Sequence, residues 1–207
     1  MAEFINLSIS GIIDFLISLS PILISFFLIV GSLLNQEVAK GGVYLGGVLI
    51  MLLIGILLKK LFNKNPPDEF THENCSLFDV RNINLLNKST PDLNSMFLAF
   101  TTLYLLLPMI HQEAQLNPYL VIILTSFIIG NAITRFKKKC NNVIDLIVGT
   151  ILGGGLGCAW FYIFWATNNH KLLFIDTLVS NKVICNRPAK QTFKCSVYKN
   201  GQLIKNL

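Results

Sequence analysis

The chain has 207 residues, of which 53% are hydrophobic and only 14% are charged, and its formal net charge is +6. A soluble domain carries charge on about a quarter of its residues, so this composition excludes an ordinary soluble globular protein. No basic face alternates with aromatic residues, so we expect no nucleic-acid partner. The five cysteines form no CxxC pair, and neither a metal site nor a cofactor is predicted.

Long apolar runs predict an all-α polytopic membrane protein. Runs of about 18 or more apolar residues are typical of membrane spans. Within lipid the backbone polar groups must be satisfied inside the segment, so each span is expected to be a helix. Five spans are predicted, near residues 12–34, 43–62, 94–110, 118–134 and 143–165. Together they make a transmembrane helical bundle over residues 1–166, with a polar loop at 63–92.

The loop charges predict an orientation. Five spans place the N-terminus, loop 59–92 and loop 135–142 on one side of the membrane. Nine basic residues fall in these two loops, namely Lys59, Lys60, Lys64, Arg81, Lys88, Arg135, Lys137, Lys138 and Lys139. The inter-span loops of the other side hold only Lys40. The positive-inside rule therefore predicts a cytoplasmic N-terminus, although Asn74 and Asn87 begin glycosylation sequons that are used only on a lumenal face.

The polar C-terminal tail, residues 167–207, differs from the rest of the chain. It holds two short alternating stretches, and Asn200-Gly201 is typical of a tight turn, so a small β-hairpin is predicted. Cys185 and Cys195 are close enough in sequence to meet across such a hairpin. They would form a disulfide in an oxidising compartment and remain free thiols in a reducing one.

The fifth predicted span contains three glycines on one helix face. Gly149, Gly153 and Gly157 recur every four residues, a spacing that lets a second helix backbone approach closely. Packing within the chain is the favoured interpretation, and a dimer seam is the alternative.

Three polar segments at the ends of different spans carry a recurrent order of residues. Lys59 is followed, after six residues, by Pro66-Pro67. The next segment is Pro91-Asp-Leu-Asn94, and the third is Thr134-Arg135, then Asn141 after five residues, then Asp145 after three. All three lie on the same predicted side, so they are expected to line one pocket.

This order resembles the PAP2 (type 2 phosphatidic acid phosphatase) superfamily, whose motifs are KxxxxxxRP, PSGH and SRxxxxxHxxxD. The resemblance covers roughly residues 50–165 and implies a PAP2-like helical bundle. It implies that Lys59 and Arg135 are remnants of a phosphate site, and that Asp145 once oriented a histidine. Both histidine positions are asparagine here, at Asn94 and Asn141. An amide can neither titrate near neutral pH nor attack phosphorus, so no catalytic residue set is intact.

His72 and Asp145 have alternative interpretations. His72 is the one histidine in the predicted loops on the motif side, and a relocated nucleophile would have to be this residue. Asp145 falls in the first turn of the fifth span, where the helix dipole favours an acid, and pairing with Arg135 is a further expectation.

The favoured functional prediction is a catalytically inactive PAP2-like integral membrane protein with a structural or anchoring role. The tail resembles C-terminal segments of membrane proteins from large icosahedral DNA viruses, which implies a virion inner-membrane protein whose tail contacts capsid proteins. One alternative is an active lipid phosphate phosphatase with a relocated nucleophile. The other is a membrane protein that binds anionic lipid head groups through its loop cations.

Overall fold

The structure, a computed structural model, describes residues 9–65, 88–111, 117–174, 196–199 and 202–206. It contains five helices that are long and apolar enough to cross a membrane, which confirms the predicted number of spans. The helices are α1 Ile9–Leu34, α2 Val38–Phe62, α3 Leu93–His111, α4 Pro118–Lys137 and α5 Val143–Ala166. The protein is therefore a multi-pass membrane protein with an all-helical bundle.

Three helices extend three or more residues beyond the predicted spans, and α1 does so by beginning at Ile9 rather than at 12. Helix α2 begins at Val38, five residues before the predicted start at 43, because the charge of Lys40 is paired inside the first turn. Its Nζ lies 2.8 Å from Oε2 of Glu37, and the lysine is 5% exposed. Helix α4 continues to Lys137 rather than ending at 134, and its cations in the last turn suit the negative end of the helix dipole.

Helix α3 is the central helix of the bundle, because 67% of the residues in its most apolar 18-residue stretch are buried. Its largest buried side chains include Met96, Phe100 and Tyr104, which pack with Tyr44 of α2 and Phe161 of α5. Helix α1 is peripheral, because only 6% of the residues in the corresponding stretch are buried. Its exposed apolar side chains suit contact with lipid.

The glycine face of α5 packs against α3 of the same chain. A β-carbon added at Gly149 would lie 2.6 Å from the carbonyl oxygen of Asp92, and one added at Gly157 would lie 2.5 Å from that of Phe100. At Gly153 the corresponding approach to the backbone of Met96 is closer still. These distances leave no room for any larger residue, so the three glycines fix the register of α5 on α3.

Two short strands lie in the C-terminal tail. Strands β1 Ser196–Lys199 and β2 Gln202–Asn206 pair antiparallel, with Lys199 opposite Gln202. A one-turn 3-10 helix, His170–Leu172, follows α5. Residues 175–195, which include Cys185 and Cys195, lie outside the described residues, as does the predicted Asn200-Gly201 turn.

Candidate functional site

The three sequence segments meet at one end of the bundle. Lys59 lies in the last turn of α2 and Arg135 in the last turn of α4, whereas Asp92 precedes α3 and Asn141 precedes α5. With their neighbours they form what we call the polar cluster: Lys59, Lys64, Ser89, Thr90, Asp92, Ser95, Asn131, Thr134, Arg135, Asn141 and Asp145. Most of these side chains are buried, although the cluster sits at the end of apolar helices.

Asp145 is the most buried acid of the polar cluster, with 0% exposure. Its Oδ1 accepts hydrogen bonds from Nζ of Lys64, at 2.9 Å, and from the hydroxyl of Thr90. Its Oδ2 accepts from the backbone N–H of Asn142 at 3.1 Å, which completes a capping box at the start of α5. Asp145 therefore has the predicted place of a helix N-terminal acid.

The expected pairing of Asp145 with Arg135 is wrong. Arg135 Nη1 lies 3.4 Å from Oδ1 of Asp92, whereas Asp145 binds Lys64. The reason is the position of each cation. Arg135, in the last turn of α4, contacts Asp92 at the start of α3, and Lys64, just after α2, contacts Asp145 at the start of α5.

Asp92 joins the start of α3 to the end of α4. Its Oδ2 accepts hydrogen bonds from the backbone N–H of Ser95, at 2.8 Å, and from the Ser95 hydroxyl, at 2.7 Å. The Nδ2 of Asn131, on α4, donates in turn to the Ser95 hydroxyl at 2.9 Å. Asp92 thus caps α3 and also neutralises Arg135, a buried arrangement in which each charge has a partner.

Asn141, at the position of the family's nucleophile, has a structural contact. Its Nδ2 donates to the backbone carbonyl of Ser89 at 2.9 Å, and the residue is 7% exposed. Arg135 Nη1 lies 3.5 Å from its Oδ1. Lys59, 6% exposed, donates from Nζ to the carbonyl of Lys88. Asn94 is half-buried in the first turn of α3.

Within the described part of the chain, the polar cluster contains no histidine. Its titratable members are two acids and three bases, and both acids form ion pairs with cations of the chain itself. The histidines that the structure describes, His111 and His170, lie at the opposite end of the bundle. Pro66, Pro67 and His72 fall outside the described residues. Among the described residues, no three His, Cys, Asp or Glu side chains are placed to hold a metal ion.

An aromatic cluster closes the opposite end, and sequence analysis did not identify it. The ring of His111 lies 5.2 Å from that of Trp165, and the ring of His170 lies 4.2 Å from the same indole. Phe161 and Tyr162 complete the cluster, and the Tyr162 hydroxyl lies 3.3 Å from Nε2 of His111. We use the name aromatic cluster for these five residues.

Sequence analysis also missed several partners inside the polar cluster. Lys64 and Thr90 were not identified as members of the site, and Asp92 was quoted only as part of the second motif segment. A usable signal was present for Asp92, because an acid three residues before Ser95 at the start of an apolar run is typical of a helix N-cap. Lys64 and Thr90 lie in irregular segments, which carry no periodic pattern.

Comparisons with known proteins identify no relative. A scan against protein-family models found no match, and neither did searches of curated proteins and of solved structures.

Proposed function

We propose that this chain is a catalytically inactive PAP2-like integral membrane protein with a structural role. One observation carries the proposal: the motif positions Lys59, Arg135, Asn141 and Asp145 gather at one end of the bundle, yet their side chains are used to join helices. The family resemblance predicts the gathering, and the identity of the residues accounts for the loss of chemistry.

The contacts of the polar cluster favour a structural role over phosphate binding. Arg is suited to a bidentate grip on phosphate, but Arg135 has the carboxylate of Asp92 at 3.4 Å. A phosphate approaching Arg135 would also meet the negative charge of that buried carboxylate. Asn141 uses its amide to hold the carbonyl of Ser89 and has no proton to exchange near neutral pH.

Phosphate release from phosphatidic acid by the purified full chain in mixed micelles tests the proposal. We expect a rate equal to that of protein-free micelles. Activity above this level that His72→Ala abolishes would contradict the proposal and favour the relocated nucleophile. Activity that survives His72→Ala but is lost in Arg135→Ala would contradict it as well, since the polar cluster would then be catalytic.

The C-terminal tail is the proposed docking element. Residues 167–207 are polar, and the antiparallel pair of β1 and β2 gives them a backbone edge on which another protein can add. The tail's resemblance to viral membrane proteins makes a capsid protein of a virion with an internal membrane the expected partner. A photo-crosslinking residue at position 198 in the native assembly should capture one protein, and capture of lipid alone would contradict this part of the proposal.

We propose a cytoplasmic location for the N-terminus and the polar cluster, on the basis of the loop charges. Cys140 opposes this orientation, because it is disulfide-bonded and disulfides are rare in the reducing cytoplasm. Glycosylation in a translation system that contains lumenal vesicles decides between the two orientations. We expect Asn74 and Asn87 to remain unmodified, and a mass shift that Asn87→Gln removes would reverse the orientation.

A further inference from the structure

Cys140, in the short connection between α4 and α5, is disulfide-bonded, and its partner lies outside the described residues. The residue is buried, with 3% exposure. Cys158, within α5, is a free thiol and is therefore excluded as the partner. Three candidates remain, namely Cys75, Cys185 and Cys195.

The topology of the chain argues against the two tail cysteines. Phe174, the last described residue before them, is buried at the opposite end of the bundle, where its ring lies 6.4 Å from that of Tyr44. Helix α5 has 24 residues and is about 36 Å long. A tail cysteine would therefore have to cross the whole membrane to reach Cys140. A polar chain on that path would leave its backbone groups without hydrogen-bond partners in lipid.

The remaining candidate belongs to residues 66–87, which we call the acidic segment and which leaves and re-enters the described structure beside Cys140. The backbone N–H of Ser89 donates to the carbonyl of Lys64 at 3.1 Å, so the two ends of the segment lie together. Asn141, the neighbour of Cys140, donates from Nδ2 to the Ser89 carbonyl at 2.9 Å. The cysteine of the segment is about ten residues from its nearer end, which allows a reach of about 35 Å.

The charges of the acidic segment complement those of the end of the bundle that holds the polar cluster. The segment has one arginine, Arg81, and four acids, so its net charge is −3; the acids are Asp68, Glu69, Glu73 and Asp79. The described residues at that end include three acids, namely Asp14, Asp92 and Asp145. They include eight cations, namely Lys59, Lys60, Lys64, Lys88, Arg135, Lys137, Lys138 and Lys139. The excess of five positive charges attracts a segment of the opposite sign.

We propose that the acidic segment docks on this end of the bundle and is tied to it by a disulfide between Cys75 and Cys140. As the S–S bond forms, the two thiols lose two protons and two electrons. A second disulfide, that of oxidised glutathione or of a thiol oxidoreductase, takes them up and becomes two thiols. The docked acids lie against exposed lysines such as Lys60 and Lys137, so the segment competes with anionic lipid for this surface. The proposal is independent of whether the protein has phosphatase activity.

Peptide mapping of the purified full chain tests the covalent link. The protein is equilibrated with a mixture of reduced and oxidised glutathione, its free thiols are alkylated, and it is digested without reductant. We expect one linked pair of peptides that contains Cys75 and Cys140, and the same pair in a variant with both Cys185→Ser and Cys195→Ser. A link from Cys140 to either tail cysteine, or alkylated Cys140, would overturn the assignment.

The rate of tryptic cleavage after Arg81 in the folded full chain tests the docking. Without reductant, we expect Cys75→Ser to raise this rate at least about tenfold, because the disulfide no longer restrains the segment. Cys158→Ser removes a thiol that forms no disulfide and should leave the rate unchanged. Equal rates in the native chain and in Cys75→Ser would show that the segment is not held on the bundle.

Neutralising the four acids in the Cys75→Ser background tests the electrostatic part. Replacing each Asp with Asn and each Glu with Gln should raise the rate of cleavage after Arg81 by a further threefold or so in low salt. In about 1 M salt, which screens exposed charges beyond about 3 Å, the two variants should be cleaved alike. Glu113→Gln, which removes an acid from the connection between α3 and α4, should have no effect. If the neutralised segment were cleaved no faster in low salt, charge complementarity would not hold it.

Discussion

At the end of the bundle where α5 begins, the helices are joined by ion pairs and hydrogen bonds between buried side chains. At the end where α5 finishes, α3 and α5 are joined by the rings of the aromatic cluster. The glycine face lies between these two ends and sets their register. The contacts at one end are therefore directional ion pairs and hydrogen bonds, and those at the other end are less directional contacts between rings.

The charged residues of the polar cluster contact other parts of the same chain. Arg135 pairs with Asp92 before α3, and Asp145 binds Lys64 and Thr90 in the segments after α2 and before α3. Breaking a buried ion pair is strongly destabilising, so we expect the polar cluster to contribute to the stability of the bundle.

Gly153→Val should have the largest effect on stability, because it separates the two helices that both ends join. The added side chain would overlap the backbone of Met96, which cannot rotate away as a side chain can. We expect a loss of more than about 3 kcal/mol and no monodisperse protein in detergent. Size-exclusion chromatography and thermal unfolding would measure it.

Gly155→Val is the matched control, since nothing lies within 4 Å of a β-carbon at that position. It should leave the elution profile and Tm close to those of the native chain. If both variants behaved alike, the seam between α3 and α5 would not determine the packing.

Much of this architecture could be predicted from the sequence. The number of spans followed from hydropathy because lipid requires long apolar helices. The boundaries were less accurate where a charge is paired inside a helix, as Lys40 is with Glu37, since a hydropathy window ends at any charge. The gathering of Lys59, Arg135 and Asp145 followed from motif order and sidedness.

The partners within each end could not be predicted in the same way. Which cation binds Asp145 depends on the path of the chain after α2, and irregular segments such as residues 63–65 leave no periodic trace in sequence. The aromatic cluster depends on the register of α3 against α5. The three glycines set that register, but their partner helix was not identified from the sequence.

Asp145→Ala should have the second largest effect and tests whether the polar end is structural. It removes the acceptor of Lys64 and Thr90 and also the capping-box contact of α5. Breaking a buried pair costs about 3–5 kcal/mol, and we expect about 3 because the Lys64 side chain is 41% exposed and can be hydrated. The free energy of unfolding in mixed micelles would measure this.

Asp14→Ala is the control on the same side of the bundle. Asp14 also pairs with a lysine, Lys138, but at 3.7 Å and with 36% of its side chain exposed. Such a pair contributes about 0–1 kcal/mol. A loss as large as that of Asp145→Ala would mean that burial does not distinguish the two acids.

Trp165→Ala should have the smallest effect of the three and tests the aromatic end. The indole contacts the rings of His111, Phe161 and His170. Aromatic pairs contribute about 0.5–1.5 kcal/mol each beyond their burial. Because lipid can replace much of the lost apolar contact, we expect a total loss of about 2 kcal/mol, measured by the same unfolding experiment.

Tyr162→Phe separates ring packing from hydrogen bonding at that end. It removes the hydroxyl that lies 3.3 Å from Nε2 of His111 but keeps the ring, which stacks edge-on against the imidazole. The hydroxyl is exposed, so we expect a change below about 0.5 kcal/mol. A larger loss than that of Trp165→Ala would show that this end is also held by a directional polar contact. The contrast between the two ends would then be one of degree rather than of kind.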